Sequence, residues 1–550
     1  MERDSKAQGG PAGRPHHWAD EAALRVIKER GEKELYTCAS GITPSGTVHI
    51  GNFREIISVD LVVRALRDLG KTVRFIYSWD DYDVFRKVPA NMPQQEMLSG
   101  YLRWPITMVP DPYGQEESYA RHNEVNIEKA LPLVGIEPEF LYQASKYRAS
   151  AYAQGMIQAL EKQEALRKIL DKFRDEDHKI QGPWWPVSVF CKTCHKDETR
   201  IDSWEGGEKL LSYTCEACGF TDQVDLRKSS EVKLLWRVDW PMRWAHEKVD
   251  FEPAGKEHHS PGGSFDTARV VAQEVYDWPA PHSFKYDFIS LKGSPGKMSS
   301  SKGDVVDLGE VLRVYTPEVC RYLFAGTRPN TEFTISFDLD VIKIYEDYDK
   351  TERIAWGLEK AKDEASFERE KRIYLLSQVC TDAQGRSLMP PLPFQVPFRH
   401  LCNLIQIADG DIDKALADLV FGGAAPSPEQ LPALKTRALC AKYWVEECAP
   451  EDFQFRLKGP GESPSEALSP QEKAAVAALR DRVIGPIESF ADDRACAEAI
   501  YEVAKDQNLE GKDLFRAAYQ ALIGKDQGPR LAAFLRTISR ERLLEILKTY

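Results

Sequence analysis

Apolar and polar positions near the start of the chain follow the order helix, strand, helix, strand. After a tail rich in Gly, Pro, Arg and His, the helical pattern EAALRVIKER precedes the strand-like ELYTCAS, and the helical REIISVDLVVRALRDLG precedes the strand-like TVRFIYSW. Two strands joined by a crossover helix are typical of a parallel sheet. The pattern predicts a flexible tail at residues 1–20 and the first half of a doubly wound α/β domain at residues 21–150.

The second half of that domain is predicted about two hundred residues later, where the strand-like PHSFKYDFIS leads into the Gly- and Ser-rich loop LKGSPGKMSSSKGD. The intervening chain holds the helical segment SAYAQGMIQALEKQEALRKILDKFRDE and then a module with four cysteines. We therefore predict an insertion at residues 151–235 and a return to the same Rossmann-like, doubly wound parallel sheet at residues 236–305.

The rest of the chain has a helical pattern, broken by three connectors rich in Pro and Gly. In SPQEKAAVAALRDRVI, Ser469 and Glu472 match a capping box ahead of an amphipathic helix. No repeat of fixed period is present, which argues against a solenoid. We predict an all-α C-terminal part, divided into regions at residues 306–385 and 386–550.

Composition narrows the class of protein. The 550 residues are 42% hydrophobic and 29% charged, which is typical of a globular protein. The net charge of −13 argues against indiscriminate binding to nucleic acids or membranes, although it allows a local basic surface. No apolar run approaches twenty residues and no secretory signal is visible, so we expect a cytoplasmic protein without a membrane segment. Nothing in the pattern requires a partner subunit, and we expect a monomer.

Four of the eleven cysteines have the spacing of metal ligands. Cys191 with Cys194, and Cys215 with Cys218, form two C-x-x-C pairs with twenty residues between them. This spacing fits a tetrahedral zinc site and is favoured over disulfides in a reducing compartment. Because four thiolates fill the coordination sphere, we expect a structural zinc ion, with His195 as a bystander.

A glycine-rich loop, GITPSGTVHIGN, separates the first strand from the second helix. Gly46 and Gly51 let backbone amides approach a ligand, and the start of the helix favours an anion such as phosphate. His49 would act there as a donor, with Asn52 on the same helical side. The loop matches neither the Walker A pattern nor G-x-G-x-x-G.

The second loop, GKMSSSKG, carries two lysines on a serine-rich segment. Lys297 and Lys302 lie between Gly296 and Gly303, and two ammonium groups on a flexible loop suit a leaving pyrophosphate. Alone, such a loop is more often a solvated surface segment, and a His beside Gly is often only part of a turn. The two loops in one chain form a much more specific pattern.

HIGN and KMSSSKG together resemble the two signature sequences of class I aminoacyl-tRNA synthetases. The stretches SWDDYDVFRKVPANMP, WRVDWPMRW and FEPAGKEHHSPGGSFD further resemble class I lysyl-tRNA synthetases, from Asp20 to Asp304 and more weakly beyond. The resemblance implies ATP-dependent formation of lysyl-adenylate, with Mg²⁺ bridging the phosphates, and transfer of L-lysine to tRNA(Lys). It also implies that the zinc insertion touches the tRNA acceptor end, that residues 306–385 contact the stem, and that residues 386–550 bind the anticodon.

The same resemblance implies roles for individual residues. The implied catalytic residues are His49, Asn52, Lys297 and Lys302. The implied ATP-binding residues are Gly46, His49, Gly51, Asn52, Lys297, Met298 and Lys302. Comparison with the related glutamyl enzymes adds lysine-binding residues, which are Gly41, Thr43, Asp80 and His258, with Trp236 or Trp240 as an aromatic wall. Core packing is the alternative for each tryptophan.

Three other interpretations account for part of the pattern. A glutamyl-type enzyme would share the architecture, but Ala39 stands where those enzymes place an arginine for the substrate carboxylate. A noncatalytic tRNA-binding paralogue would be expected to lose His49 or the loop lysines, and both are intact. A small-molecule nucleotidyltransferase can share the histidine motif, but it has no evident use for the helical C-terminal half.

Overall fold

The computed structural model describes residues 15–293, 305–417, 419–464 and 466–550. The first elements follow the predicted order of helices and strands. They are α1 Trp18–Arg30, β1 Leu35–Ile42, α2 Ile50–Asp68, β2 Thr72–Trp79, α3 Gln95–Ser99, α4 Tyr119–Ala130, β3 Glu139–Tyr142, α5 Gln143–Arg148, α6 Ala153–Glu161 and α7 Gln163–Lys172.

Short strands then form the cysteine-containing part of the insertion, and mixed elements follow it. The short strands are β4 Val187–Val189, β5 Thr199–Glu205, β6 Leu210–Cys215, β7 Thr221–Asp225 and β8 Val232–Leu234. The mixed elements are α8 Trp236–Glu247, β9 Val249–Phe251, β10 Ala254–Gly255, α9 Ser264–Tyr276, β11 Lys285–Tyr286, β12 Ile289–Leu291, α10 Leu308–Val314, α11 Pro317–Ala325, β13 Phe333–Ile335, α12 Asp340–Ala355 and α13 Glu364–Ser377.

The named elements of the remaining described chain are all helices. They are α14 Phe398–Ile407, α15 Ile412–Ala417, α16 Leu431–Tyr443, α17 Pro470–Leu479, α18 Asp493–Asp506, α19 Gly511–Leu522, α20 Leu531–Thr537 and α21 Arg540–Ile546. Shorter 3₁₀ and π-helical turns connect several of them.

The central sheet has the strand order β3-β2-β1-β9, and all four strands are parallel. β1 and β2 pair in register from Leu35 and Thr72 to Ile42 and Trp79, and α2 makes the crossover between them. β9 pairs with the other side of β1, although the whole insertion separates the two in sequence. The predicted fold class, a doubly wound parallel sheet interrupted by an insertion and followed by a helical part, is confirmed.

The strand predicted over PHSFKYDFIS is two short strands with different partners. β11 pairs with β10, and β12 pairs with β13, both in parallel. Between them, the amide of Asp287 donates to the carbonyl of Pro329 at 2.8 Å, and the carbonyl of Phe288 accepts from the Arg54 side chain at 3.1 Å. These bonds occupy the backbone where the strand would have continued.

The cysteine-containing part of the insertion, from β4 to β8, is called the cysteine module. It leaves and rejoins the domain through one antiparallel ribbon. β4 pairs with β8, with Val187 opposite Leu234 and Val189 opposite Val232. Between these strands lies an antiparallel sheet of the order β5-β6-β7.

The chain divides into two compact units. The first contains residues up to 312 with 317–335 and 350–391, and the second contains 313–316, 336–349 and 392–550. In the second unit, α17 to α21 pack around a continuous apolar core. The capping box before α17 is confirmed, because Ser469 Oγ accepts from the Glu472 amide at 3.2 Å and the Glu472 carboxylate accepts from the Ser469 amide at 2.8 Å. Among the described residues, no helix is both long and apolar enough to traverse a bilayer.

Candidate active site

A cavity of about 880 Å³ opens at the carboxyl ends of β1 and β2. Residues 40–43 line it where β1 ends, and Asp80 lines it directly after β2. The connections from β1 lead to β2 on one side and, after the insertion, to β9 on the other. Doubly wound sheets bind their ligands at such a point of strand-order reversal. The cavity therefore occupies the position that this fold gives to a ligand.

The predicted phosphate-binding residues lie at the amino end of α2. His49, Gly51 and Asn52 line the cavity, whereas Gly46 is not among the described residues that line it. His49 is the N-cap, and its Nδ1 atom accepts from the Gly51 amide at 3.1 Å. The Asn52 Oδ1 atom accepts from the His49 amide at 3.2 Å. The helix dipole and the first-turn N–H groups make this end of α2 able to hold an anion.

The same helix end contacts the segment that follows the lysine loop. The Ile50 amide donates to the carbonyl of Val306 at 2.8 Å, and His49 forms an isolated bridge with Asp307. Lys297, Met298 and Lys302 themselves lie outside the described residues. The chain that follows the lysine loop is thus adjacent to the predicted phosphate site.

A carboxylate that the sequence analysis missed lies on the floor of the cavity. Glu55 of α2 accepts hydrogen bonds from Ser40 Oγ at 2.8 Å, from the Gly41 amide at 3.1 Å and from the Tyr286 hydroxyl. Burial raises the pKa of Glu55. Within the described parts of the chain, no lysine, arginine or histidine forms an ion pair with it. The described part of the cavity floor therefore offers a carboxylate that no described cation neutralises.

The sequence carried a weak signal for Glu55. It is an acidic side chain on the first two turns of a helix, directly before the buried Ile56 and Ile57. An acidic residue beside a run of buried apolar positions is unusual unless it has a partner.

Two aspartates after β2 are held by buried cations. Arg243 Nη1 lies 2.6 Å from Asp80 Oδ1. Lys233 Nζ lies 2.6 Å from Asp83 Oδ1, and the other oxygen of Asp83 accepts from Thr43 Oγ1 at 2.8 Å. Asp80, Asp83 and Thr43 all line the cavity. The site thus joins the end of β1 to β8 of the insertion through a chain of side chains.

The tryptophans of α8 form one wall. Trp236 lines the cavity and stacks on Trp240, with ring centroids 5.2 Å apart and an interplanar angle of 12°. His258 also lines it, with its ring centroid 6.4 Å from that of Trp236. Trp240 is buried behind and donates through Nε1 to Glu252 at 3.0 Å, as Trp244 does at 2.5 Å. Of the two predicted tryptophans, Trp236 contacts the cavity and Trp240 supports it.

The four predicted ligand cysteines converge. The Sγ atoms of Cys191 and Cys218 are 3.6 Å apart, as are those of Cys194 and Cys215, and all four lie within 4.8 Å of one another. A tetrahedral zinc ion with Zn–S bonds of about 2.3 Å requires sulfur atoms about 3.8 Å apart. The four thiols fit a tetrahedral metal ion, and none of them is in a disulfide.

Each cysteine pair forms the same tight turn. The His195 amide donates to the carbonyl of Cys191 at 2.8 Å, and the Gly219 amide donates to that of Cys215 at 2.9 Å. His195 and Gly219 both have positive φ, 61° and 74°. The His195 ring packs edge-on against Trp104, with centroids 4.8 Å apart and an interplanar angle of 60°, and does not join the sulfur cluster.

A parallel sheet with a helix-end anion site and a cavity at its strand-order reversal defines an α/β protein of the nucleotide-binding type. A family model described as "tRNA synthetases class I (K)" matches residues 16–380. The chain belongs to this family of class I tRNA synthetases.

Curated relatives match the chain over nearly its whole length. The "Lysine--tRNA ligase" of Treponema pallidum is 56% identical over 535 residues, which are 97% of this chain and 98% of that one. That of Borreliella burgdorferi is 49% identical over 534 residues, covering 97% and 99%. That of Thermococcus kodakarensis is 42% identical over 542 residues, again covering 97% and 99%.

Proposed function

We propose that this protein attaches L-lysine to tRNA(Lys), using ATP and passing through lysyl-adenylate. Full-length similarity to lysine–tRNA ligases supports the reaction class and the substrates. The observation that carries the choice of amino acid is the Glu55 carboxylate on the floor of the cavity, which has no cationic partner among the residues that the structure describes. A lysine ammonium supplies the missing positive charge.

In the first half-reaction, the lysine carboxylate attacks the α-phosphate of ATP. The amino end of α2, with His49 and Asn52, would hold phosphate oxygens, and the loop lysines Lys297 and Lys302 would stabilise the departing pyrophosphate. Gly46, Gly51 and Met298 complete the proposed ATP site. Magnesium bound to ATP would neutralise part of the phosphate charge. Catalysis on this scheme consists mainly of positioning and of charge stabilisation.

The proposed lysine site begins at the end of β1 and ends at α8. Gly41 and Thr43 would contact the amino-acid backbone, and Asp80 would meet the α-ammonium group. The aliphatic part of lysine would pass along Trp236 and His258, where stem packing and cation–π attraction are both available. Lysine then reaches Glu55 with its ε-ammonium group.

The same geometry argues against glutamate as the substrate. A glutamate side chain would bring a second carboxylate toward Glu55. The nearby buried cations, Arg243 and Lys233, are each paired with an aspartate at 2.6 Å. In the described chain, an anionic side chain beside Glu55 would therefore meet a like charge and no buried cation that is free to pair with it.

The remaining parts have supporting roles in this proposal. A zinc ion on Cys191, Cys194, Cys215 and Cys218 would order the insertion, which would lie against the tRNA acceptor end. Residues 306–385 and 386–550 would contact the tRNA stem and anticodon, and the protein would act as a cytoplasmic monomer.

The test is ATP–pyrophosphate exchange with each of the twenty amino acids, with and without total tRNA. We expect exchange with lysine, and we expect Glu55→Gln to raise the lysine KM by about 10- to 100-fold, since a hydrogen bond to a charged group is worth about 1.5–3 kcal/mol. The matched control is Glu137→Gln, which removes the same charge at an exposed position outside the cavity. Exchange with glutamate, or an unchanged lysine KM in Glu55→Gln, would contradict the proposed pocket.

A further inference from the structure

Two adjacent cations, Arg86 and Lys87, line the same cavity and have no assigned role. They follow β2 after the two aspartates, and both side chains are exposed. In the described parts of the chain, neither forms a hydrogen bond or an ion pair. Two further cations described near the cavity, Lys233 and Arg243, are buried and paired with aspartates. Arg86 and Lys87 are therefore positive charges available to a ligand that arrives from solvent.

The backbone that carries these cations is fixed to the neighbouring segment. The Phe85 amide donates to the carbonyl of Trp104 at 2.8 Å, and the Arg103 amide donates back to the carbonyl of Phe85 at 2.8 Å. Phe85 itself is 2% exposed, in a cluster with Tyr119 and Leu98. The two cations thus extend from a buried anchor.

The cysteine module in turn holds that neighbouring segment. The two nitrogens Nε and Nη2 of Arg103 lie 2.8 and 3.0 Å from the two carboxylate oxygens of Asp197, three residues after Cys194. The Asp197 amide also donates to the carbonyl of Arg103 at 3.0 Å. Burial raises the pKa of Asp197, while the charges of Arg103 and Arg86 oppose that rise. An ion pair with one side-chain hydrogen bond, together with the backbone bond, fixes both the distance and the orientation of the two segments.

The position of Arg86 and Lys87 indicates which anion they bind, the phosphates of ATP or those of the tRNA. In the proposed function, the phosphates of ATP bind at the amino end of α2. Arg86 and Lys87 instead follow Asp83, which is bonded to Thr43 and to Lys233 of the insertion. Their segment therefore begins beside Thr43 and the insertion, in the part of the cavity to which the proposed function assigns the amino acid. In the proposed function, the tRNA must bring its terminal ribose to the lysine carboxyl group, and the phosphates of its single-stranded 3′ end must pass this part of the cavity.

We propose that Arg86 and Lys87 bind backbone phosphates of the tRNA 3′ end, and that the Arg103–Asp197 pair positions them by linking their segment to the cysteine module. This assignment rests on the proposed function. Contacts from Lys and Arg to phosphate give affinity without sequence preference and weaken with salt.

The experiment compares equilibrium tRNA binding and aminoacylation for wild type and the double variant Arg86→Ala with Lys87→Ala. The control double variant, Arg269→Ala with Lys129→Ala, removes the same charges at exposed positions outside the cavity. We expect the tRNA Kd and the tRNA KM to rise about tenfold at low salt in the first variant alone. We expect the slope of log Kd against log salt to flatten by about 1.4, or about 0.7 for each contact to single-stranded nucleic acid. KM for ATP and for lysine should be unchanged.

The positioning role of Arg103 is tested by Arg103→Met in two backgrounds. In the wild-type background we expect the tRNA KM to rise with little change in kcat. In the Arg86→Ala, Lys87→Ala background we expect no further rise in the tRNA KM, because the two side chains that Arg103 positions are absent. A general loss of structure would add its effect in both backgrounds and would contradict this role.

An unchanged tRNA Kd and salt slope in the double variant would overturn the proposal, as would a rise in the ATP KM in place of the tRNA KM. Failure of the proposed function is a separate result. It would be seen as absence of lysine charging by the wild-type protein, while the salt slope of tRNA binding still tests Arg86 and Lys87.

Discussion

Replacing Gly41 by alanine tests the packing of the cavity floor. Gly41 lies on β1 opposite Ser78 of β2. A Cβ atom added to Gly41 would lie 2.8 Å from the Ser78 carbonyl oxygen and 2.9 Å from the Ser78 Cβ atom. Ser78 cannot move away freely, because its hydroxyl accepts from Arg243 Nη1 at 3.1 Å and from the Gln143 side chain. The two central strands must therefore separate by a few tenths of an ångström.

Overpacking of this kind costs about 1–3 kcal/mol. The displacement also has a functional cost, because the Gly41 amide donates to Glu55 at 3.1 Å. Moving the amide weakens this hydrogen bond or shifts the Glu55 carboxylate, to which we assign the lysine ammonium. We therefore expect Gly41→Ala to lower the free energy of unfolding by about 2 kcal/mol and to raise the lysine KM.

The assay is urea unfolding followed by tryptophan fluorescence, together with the lysine KM in pyrophosphate exchange. Gly207→Ala is the matched control, since a Cβ atom there meets no atom within 4 Å. It should be neutral or stabilising by less than about 1 kcal/mol, through a less flexible unfolded chain. If Gly41→Ala unfolds at the same urea concentration as Gly207→Ala and keeps the wild-type lysine KM, the reasoning about the strand contact is refuted.

Two further predictions concern other buried groups. Cys215→Ser should lower the zinc content of the purified protein by one equivalent, measured with a colorimetric chelator, and should expose the insertion to proteolysis. Equal zinc content in variant and wild type would contradict the Cys₄ site. Glu124 is 2% exposed, and burial together with the nearby Asp81 charge raises its pKa to about 8. The folded protein binds that proton more tightly than the unfolded chain, so stability should fall as pH rises from about 4.5 to about 8. Glu124→Gln should remove this decline and raise the free energy of unfolding by a few kcal/mol at pH above about 8, since each tenfold difference in proton affinity is worth about 1.4 kcal/mol. Parallel profiles of urea unfolding against pH for variant and wild type would show that Glu124 does not titrate in this way.

Local sequence pattern predicted the elements whose partners are close in the chain. The strand TVRFIYSW coincides with β2, and ELYTCAS lies within two residues of β1 at its ends. The capping box at Ser469 and Glu472 was predicted correctly because both of its hydrogen bonds lie within one turn. The cysteine spacing correctly predicted the cluster of four thiols. Each C-x-x-C pair forms its own local turn, so a single long-range contact between the two turns is enough to assemble the cluster.

Features that depend on distant contacts could not be predicted. Glu55 and Tyr286 are 231 positions apart, and only the folded sheet brings the hydroxyl to the carboxylate. The break between β11 and β12 likewise depends on Arg54 and Pro329, which no local pattern around Asp287 records. The family resemblance placed Trp236, Trp240 and His258 in one region, but the choice of Trp236 as the wall required the helix to be seen in three dimensions.

The antiparallel ribbon of β4 and β8 has an evolutionary consequence. Because the two strands are hydrogen-bonded to each other, the cysteine module leaves and rejoins the domain across one strand spacing of about 4.8 Å. Such a module can be lost, gained or exchanged for another whose ends lie equally close, without altering the path of the central sheet. A shortened protein in which a two-residue turn joins Val189 to Val232 would show which parts of the present chemistry depend on the module.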